Sequence, residues 1–149
     1  MDEETFKQRT KRFGLSVIRL VETLPRSRTA EILGRPLLRA GTSVGANYRA
    51  ACRGKSAADV VAKLGIVEEE ADESIYWIEL LVEAGVVAPN SADLLKKEAN
   101  ELLAMTVASI KTLRSRKLGT AKDSRFWISD SKLLQQSLPV AEGTAMVQI

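Results

Sequence analysis

Apolar residues recur along this chain at the three- and four-residue spacing of helices that bury one face. In the second predicted helix the apolar and small positions fall 4, 3, 4 and 3 apart: Leu37, Gly41, Val44, Tyr48 and Ala51. The third predicted helix repeats the pattern at Val60, Leu64, Val67, Ala71, Ile75, Ile78 and Val82. Stripes of this period predict helices that pack side by side along continuous seams.

The pattern and the helix-breaking residues together predict four helices. The first is expected over about residues 3–23, ending before Pro25. The second is expected as a short lead-in over 29–33, an interruption at 34–36, and a main helix to about residue 53. Pro36 causes the interruption in this prediction, because proline removes a backbone donor and clashes with the preceding turn.

The remaining helices are bounded by capping signals. Gly54 is expected in the left-handed conformation that ends a helix, and Ser56 with Asp59 is expected to cap the third helix over 57–84. Ser91 is expected to cap the fourth. Short connections make neighbouring helices antiparallel, so residues 1–117 are predicted to form one all-α domain, an antiparallel up-down four-helix bundle.

Residues 118–149 differ in character, since no helical stripe persists among their many Gly, Ser, Thr and Gln residues. They are expected to be a poorly ordered, mostly irregular C-terminal tail, in which Phe126, Trp127 and Ile128 could dock.

The missing residue types exclude most catalytic chemistry. The 149 residues contain no His, so the commonest general base and metal ligand is absent. We expect no enzyme activity, no metal, no cofactor and no small-molecule substrate. No apolar run reaches the ~20 residues that span a bilayer, and the acidic start at Asp2 lacks a secretion signal. With Cys52 expected to be buried, we predict a cytoplasmic protein without membrane contact.

Charge is strongly segregated along the sequence. Residues 1–55 hold 12 Lys and Arg against 5 Asp and Glu, whereas residues 56–110 hold 3 against 11, and residues 111–149 hold 7 against 3. Such asymmetry suits either a basic surface for a polyanion or complementary faces that meet between helices or subunits.

Basic residues on the first two helices are the candidates for binding nucleic-acid phosphates, which require several cations on one surface but no catalytic geometry. This set comprises Arg9, Arg12, Arg39, Arg49, Arg53 and Lys55. The end of the fourth helix is the alternative location, with Lys111, Arg114, Arg116 and Lys117.

A second set of residues is predicted to form helix interfaces. Small residues allow close approach, and Ser43 and Asn47 are expected to form hydrogen bonds across an interface. The acidic residues are expected to pair with Arg and Lys of the basic segment, and Tyr76 and Trp77 are expected to fill the core or an interface. The set comprises Gly41, Ser43, Gly45, Asn47, Tyr48, Glu70, Glu73, Tyr76 and Trp77.

Several of these segments carry a family resemblance. Over about residues 4–117 the chain resembles the small four-helix bundle proteins encoded by intervening sequences of bacterial large-subunit ribosomal RNA genes. The pieces that match are Arg39-Ala40-Gly41-Thr42-Ser43-Val44-Gly45-Ala46-Asn47-Tyr48-Arg49, Ser56-Ala57-Ala58-Asp59, Lys63-Leu64, Glu70-Ala71-Asp72-Glu73-Ser74 and Tyr76-Trp77-Ile78-Glu79-Leu80-Leu81.

The resemblance implies a homopentamer of bundles around a central channel, and related proteins bind nucleic acid as accessory factors. We therefore expect a non-enzymatic helical bundle that self-associates and binds RNA or DNA through basic residues of the assembly. The alternative is a protein-protein scaffold or adaptor without nucleic-acid binding, whose acidic third helix meets basic surfaces of a partner.

Overall fold

A computed structural model of the chain describes residues 2–116, and its four helices confirm the predicted all-α bundle. They are α1 (Glu3–Glu22), α2 (Arg28–Ala51), α3 (Ala57–Glu83) and α4 (Pro89–Ser115). The predicted docking of Phe126, Trp127 and Ile128 lies outside the described residues.

Side-chain caps fix the starts of three helices. Asp2 accepts a 2.7 Å hydrogen bond from the backbone of Thr5, and the hydroxyls of Ser27 and Ser56 each accept from the backbone three residues ahead. α4 differs, because it begins at Pro89 and has no side-chain cap. The prediction that Ser91 caps α4 is therefore wrong. Proline at the first helical position begins the helix instead, since its fixed φ suits the first turn and its missing N–H would be unpaired there anyway.

Two expectations about helix breakers are also wrong. α2 continues without interruption through Pro36, because Ala30, Gly34 and Leu37 are buried on both sides of the proline and hold the chain in the helical path. Gly54 does not adopt positive φ. It is required for space, because a Cβ there would lie 2.4 Å from Cγ2 of Val60.

The turn after α3 uses glycine for its conformation. Gly85 has φ 72°, its N–H donates to the carbonyl of Val82, and the next N–H, of Val86, donates to the carbonyl of Leu81. This pair of bonds is a Schellman motif, which satisfies carbonyls at the helix end and turns the chain back toward α4.

Contacts between α1 and α2 show that these two helices are antiparallel. Along α1 and α2, a Cβ on Gly45 would lie 3.4 Å from Thr10, whereas one on Gly41 would lie 2.6 Å from Val17. Residues later in α2 therefore contact residues earlier in α1, as in an antiparallel pair. The core confirms most of the predicted stripes, with Phe13, Leu37 and Leu64 among its fully buried side chains.

Candidate functional site

α2 approaches α1 closely at the glycines of its predicted seam. A Cβ on Gly41 would lie 2.6 Å from Cγ2 of Val17, which is closer than real Cβ atoms come to a neighbour. At Gly45 the nearest atoms would be 3.4 Å away, in the backbone and hydroxyl of Thr10. Gly41 is therefore the position at which only glycine fits, and Gly45 has room for a methyl group.

Ser43 and Asn47 were expected to form hydrogen bonds across an interface, but within residues 2–116 their side chains form none to a second helix. Nδ2 of Asn47 donates a 2.9 Å hydrogen bond to the carbonyl of Ser43, within α2. Tyr48 is buried and packs edge to face with Phe6, their ring centroids 4.4 Å apart. Beside it, burial raises the pKa of the Cys52 thiol to about 11. Cys52 is therefore protonated near neutral pH and unsuited to act as a nucleophile.

Arg39 on α2 joins the acidic residues of α3 in what we call the Arg39 cluster: Arg39, Glu70, Glu73 and Trp77. Nη2 of Arg39 pairs with Oε1 of Glu73, and Nη1 lies 3.6 Å from Oε1 of Glu70. The indole of Trp77 also donates to Oε1 of Glu73, at 3.1 Å. The hydrogen bonds from Trp77 and Arg39 lower the pKa of Glu73. These contacts join α2 to α3 through Glu70, Glu73 and Trp77, three of the residues predicted to form helix interfaces, but also through Arg39, which was predicted to bind nucleic acid.

Glu70 is the least satisfied member of the Arg39 cluster. Its side chain is 16% exposed, and Oε2 is the one buried side-chain polar atom in residues 2–116 without a hydrogen-bond partner. Burial raises the pKa of Glu70 above its ordinary 4.5; Arg39 opposes the rise, while Glu73 and Glu69 add to it. An ionised Glu70 therefore destabilises the folded chain.

Replacing Glu70 by Gln is expected to stabilise the protein at pH 7 by about 1 kcal/mol, because it removes a charge that lacks a full set of partners. A raised pKa means that the folded state binds the proton more readily, so stability gained from Glu70 protonation appears as pH falls. The difference in stability between the Glu70→Gln variant and the unaltered protein should therefore become smaller from pH 7 to about pH 4.5. Thermal unfolding at several pH values measures this difference. A gap that widens on acidification would contradict this account of Glu70.

The side chain of Arg9 contacts α4 and is mostly shielded from solvent. Its guanidinium forms two hydrogen bonds to Glu98, at 2.6 and 2.9 Å, and a further one to Glu101. The Arg9 side chain is only 19% exposed, and the hydrogen bond with Glu98 raises its pKa. Arg9 thus joins α1 to α4, and both its carboxylate partners would have to be displaced before it could bind a phosphate.

The other predicted cations lie in different places. Arg12 is exposed on α1, three residues from Arg9, so it shares the side of α1 that faces α4. Arg49 is in the last turn of α2, with Arg53 and Lys55 just beyond it, all exposed. Within residues 2–116, Arg12, Arg49 and Arg53 form no ion pair. The structure therefore groups Arg49, Arg53 and Lys55 but places Arg9, Arg12 and Arg39 elsewhere.

The topology adds a second basic segment to this group. α3 packs against both α2 and α4 and is joined to each by a short connection, so it is antiparallel to both. α2 and α4 therefore run in the same direction, and their C-terminal ends lie at one end of the molecule. Lys111 and Arg114 are exposed in the last turns of α4. We call this end the basic end and define it by Arg49, Arg53, Lys55, Lys111 and Arg114. Arg49, Arg53 and Lys55 of the first predicted location thus share one end of the bundle with Lys111 and Arg114 of the alternative, whereas Lys117 lies outside the described residues.

The outer surface of α3 is apolar in places. Ile66 is 41% exposed and Tyr76 is 55% exposed, with Tyr76 packed edge to face against Trp77 at 5.0 Å between centroids. Such residues suit an interface with another protein surface better than contact with water.

A cleft at the turn between α1 and α2 was not predicted from the sequence. It has a volume of about 560 Å³ and is bordered by Arg26, Arg28 and Arg35. The only local signal is the density of arginines around Pro25, and the sequence does not show that apolar side chains from both helices form the floor.

No group of three potential metal ligands occurs among residues 2–116. None of the helices described there is sufficiently long and apolar to span a lipid bilayer.

The fold and these surfaces define a four-helix bundle with a basic end and a partly apolar outer face. The chain belongs to the family of 23S rRNA-intervening sequence proteins, whose family model matches residues 3–108. This confirms the resemblance noted in the sequence. No match is found among curated proteins.

A solved structure supports the same assignment. It is a protein of unknown function from the S23 ribosomal protein family of Bacteroides thetaiotaomicron, 29% identical to this chain, with a TM-score of 0.67. The similarity covers 71% of this chain and 98% of the other.

Proposed function

We propose that the protein is a non-enzymatic, cytoplasmic nucleic-acid-binding bundle that acts as a homo-oligomer, most simply the pentamer implied by the family resemblance. The observation that carries nucleic-acid binding is the basic end. Its members come from the end of α2, the turn after it and the end of α4, and Arg49 and Arg53 lack carboxylate partners among the described residues. The intervening-sequence family to which the chain belongs is consistent with RNA as the polyanion.

Binding at the basic end would be directed at phosphates. Exposed Arg and Lys neutralise phosphates and release counterions, which needs no catalytic group and no reading of base edges. Trp77 is half-buried and bonded to Glu73, and Tyr76 packs against it. Neither aromatic is interleaved with the cations of the basic end, so we expect little sequence preference.

Self-association is supported by the outer face of α3. The apolar side chains of Ile66 and Tyr76 would be removed from water by a neighbouring copy, and the unpartnered Oε2 of Glu70 lies in the same helix. A repeated contact between unlike faces closes into a ring when the rotation permits. Light scattering of the purified chain is expected to give five times the chain mass of 16.3 kDa. A monomer at concentrations of about tens of micromolar would overturn the oligomer.

The test of nucleic-acid binding is to replace Arg49 and Arg53 together by Gln. Binding of single-stranded RNA should weaken for all sequences about equally. The affinity falls with rising salt, and the steepness of that fall, as the slope of log affinity against log salt, should decrease by about 1.4 per engaged subunit. Each phosphate contact contributes about 0.7 to the slope, and the variant removes two. The matched control is Arg19→Gln with Lys97→Gln, which removes equal charge from exposed residues of α1 and α4. Circular dichroism should show unchanged helicity in both variants.

Two results would contradict the proposal. One is an absence of binding to any RNA or DNA at low salt, which would favour the protein-protein scaffold, with Ile66 and Tyr76 as its contact residues. The other is equal weakening by the control variant, which would mean that the effect reflects net charge and not the basic end.

A further inference from the structure

The cleft at the α1–α2 turn combines a cationic border with an apolar floor. Arg26, Arg28 and Arg35 contribute the charges, and Val21, Leu24 and Leu38 contribute apolar surface from the two helices. α2 begins near this turn, so the cleft lies at the end of the bundle opposite to the basic end. It is a second and separate concentration of positive charge.

The arginines of the cleft are available to a ligand. Arg26 and Arg28 are exposed and form no ion pair or side-chain hydrogen bond within residues 2–116. Arg35 pairs with Glu31 on the same helix, but these side chains are 76% and 63% exposed. Exposed pairs of this kind contribute only ~0–1 kcal/mol, so a phosphate could replace Glu31 at Arg35 at little cost. With three arginines and only Glu31 to oppose them, the cleft carries a net positive charge.

The floor limits the kind of anion that fits. Gly34 lies in the floor, and a Cβ there would come within 2.9 Å of Leu24. Leu24 and Leu38 are partly buried and present apolar surface to the cleft. A bare inorganic anion would leave this surface in contact with water. An anion with a flat, apolar body would cover it, and could also stack on a guanidinium plane.

We propose that this cleft binds a nucleoside phosphate, with the phosphate held by Arg26, Arg28 and Arg35 and the base lying against Leu24 and Leu38. The volume of about 560 Å³ is within the range of small-molecule sites. The nucleoside phosphate could be a free nucleotide or one unpaired residue of a bound strand. The second source rests on the proposed nucleic-acid function, and the first does not.

Adenosine 5′-monophosphate and inorganic phosphate are the probes for the full-length protein, with binding measured by calorimetry. The monophosphate should bind more tightly than inorganic phosphate. Arg26→Gln with Arg28→Gln should weaken it about tenfold, as expected when charge-assisted hydrogen bonds are lost. The control variant Arg19→Gln with Lys97→Gln should bind as the unaltered protein does. Failure of the monophosphate to bind at millimolar concentration, or equal binding by the Arg26/Arg28 variant, overturns the site. Equal affinity for inorganic phosphate overturns the role of the base.

A parallel binding measurement with single-stranded RNA distinguishes a free nucleotide from a residue of a bound strand. If the cleft holds one residue of a strand, the Arg26/Arg28 variant should also lose RNA affinity, beyond the loss in the control. Unchanged RNA affinity together with weakened monophosphate binding assigns the cleft to a free nucleotide. If the Arg49/Arg53 variant loses RNA binding and the Arg26/Arg28 variant does not, the proposed function stands and the cleft does not hold a residue of the bound strand.

Discussion

Replacing Gly41 by Ala is expected to destabilise the bundle by about 1–2 kcal/mol net. The added Cβ would lie 2.6, 2.9 and 3.0 Å from Cγ2, Cγ1 and Cβ of Val17. Val17 is fully buried and β-branched, so its side chain has little freedom to move away. Overpacking of this kind costs about 1–3 kcal/mol, which exceeds the gain of up to about 1 kcal/mol from replacing Gly by Ala in a helix.

Two other helical glycines are matched controls for Gly41. A Cβ on Gly65 would meet nothing within 4 Å, so Gly65→Ala should stabilise the chain by up to about 1 kcal/mol. Gly45→Ala should change stability little, because its nearest contacts would be 3.4 Å away. Chemical denaturation of the three variants gives the comparison. Equal effects of Gly41→Ala and Gly65→Ala would show that α1 and α2 are not in tight contact at Val17.

The periodic part of the fold could be predicted because burial on one helical face leaves a direct trace in the sequence. The predicted stripe from Leu37 to Ala51 is buried throughout. Ser56 was also predicted as a cap, because serine is favoured at that position. The structure confirms it, since the hydroxyl of Ser56 accepts a hydrogen bond from a backbone N–H three residues ahead. Helix stripes and side-chain caps are local properties, and a single sequence records them well.

Predictions failed where packing decides between local alternatives. Pro36 and Gly54 were each assigned from local preference, Pro36 as a break and Gly54 as a left-handed residue. The buried neighbours of Pro36 keep α2 helical, and the methyl groups of Val60 explain why only glycine fits at 54. Gly34 packs against Val21 and Leu24, and Val60 lies on α3, so the local pattern does not reveal these causes.

The candidate site was predictable only in part for the same reason. Arg39 was assigned to nucleic acid and Glu73 to a helix interface, yet the structure pairs them. A count of charges identifies which segments are basic, but the topology determines which cations have carboxylate neighbours. Joining Arg49 of α2 to Arg114 of α4 in one basic end likewise required the helix directions.

Arg9 is the clearest case, because its partner Glu98 is 89 positions away in the sequence. We expect Arg9→Met to destabilise the fold by about 1–3 kcal/mol, as lost hydrogen bonds to charged groups do. The substitution would also leave Glu98 and Glu101 facing each other, three residues apart on α4, without the intervening cation. Their repulsion adds to the loss.

A double-mutant cycle isolates this interaction. Arg9→Met and Glu98→Gln should couple by about 1 kcal/mol or more, because the two residues are in direct contact. The control is Arg35→Met with Glu31→Gln, a pair within one helix whose side chains are mostly exposed and whose coupling should not exceed about 0.5 kcal/mol. RNA affinity decides between the two roles of Arg9. If Arg9 joins α1 to α4, Arg9→Met should lower thermal stability and leave the salt slope of RNA binding unchanged. A reduced slope with unchanged stability would instead place Arg9 among the phosphate contacts.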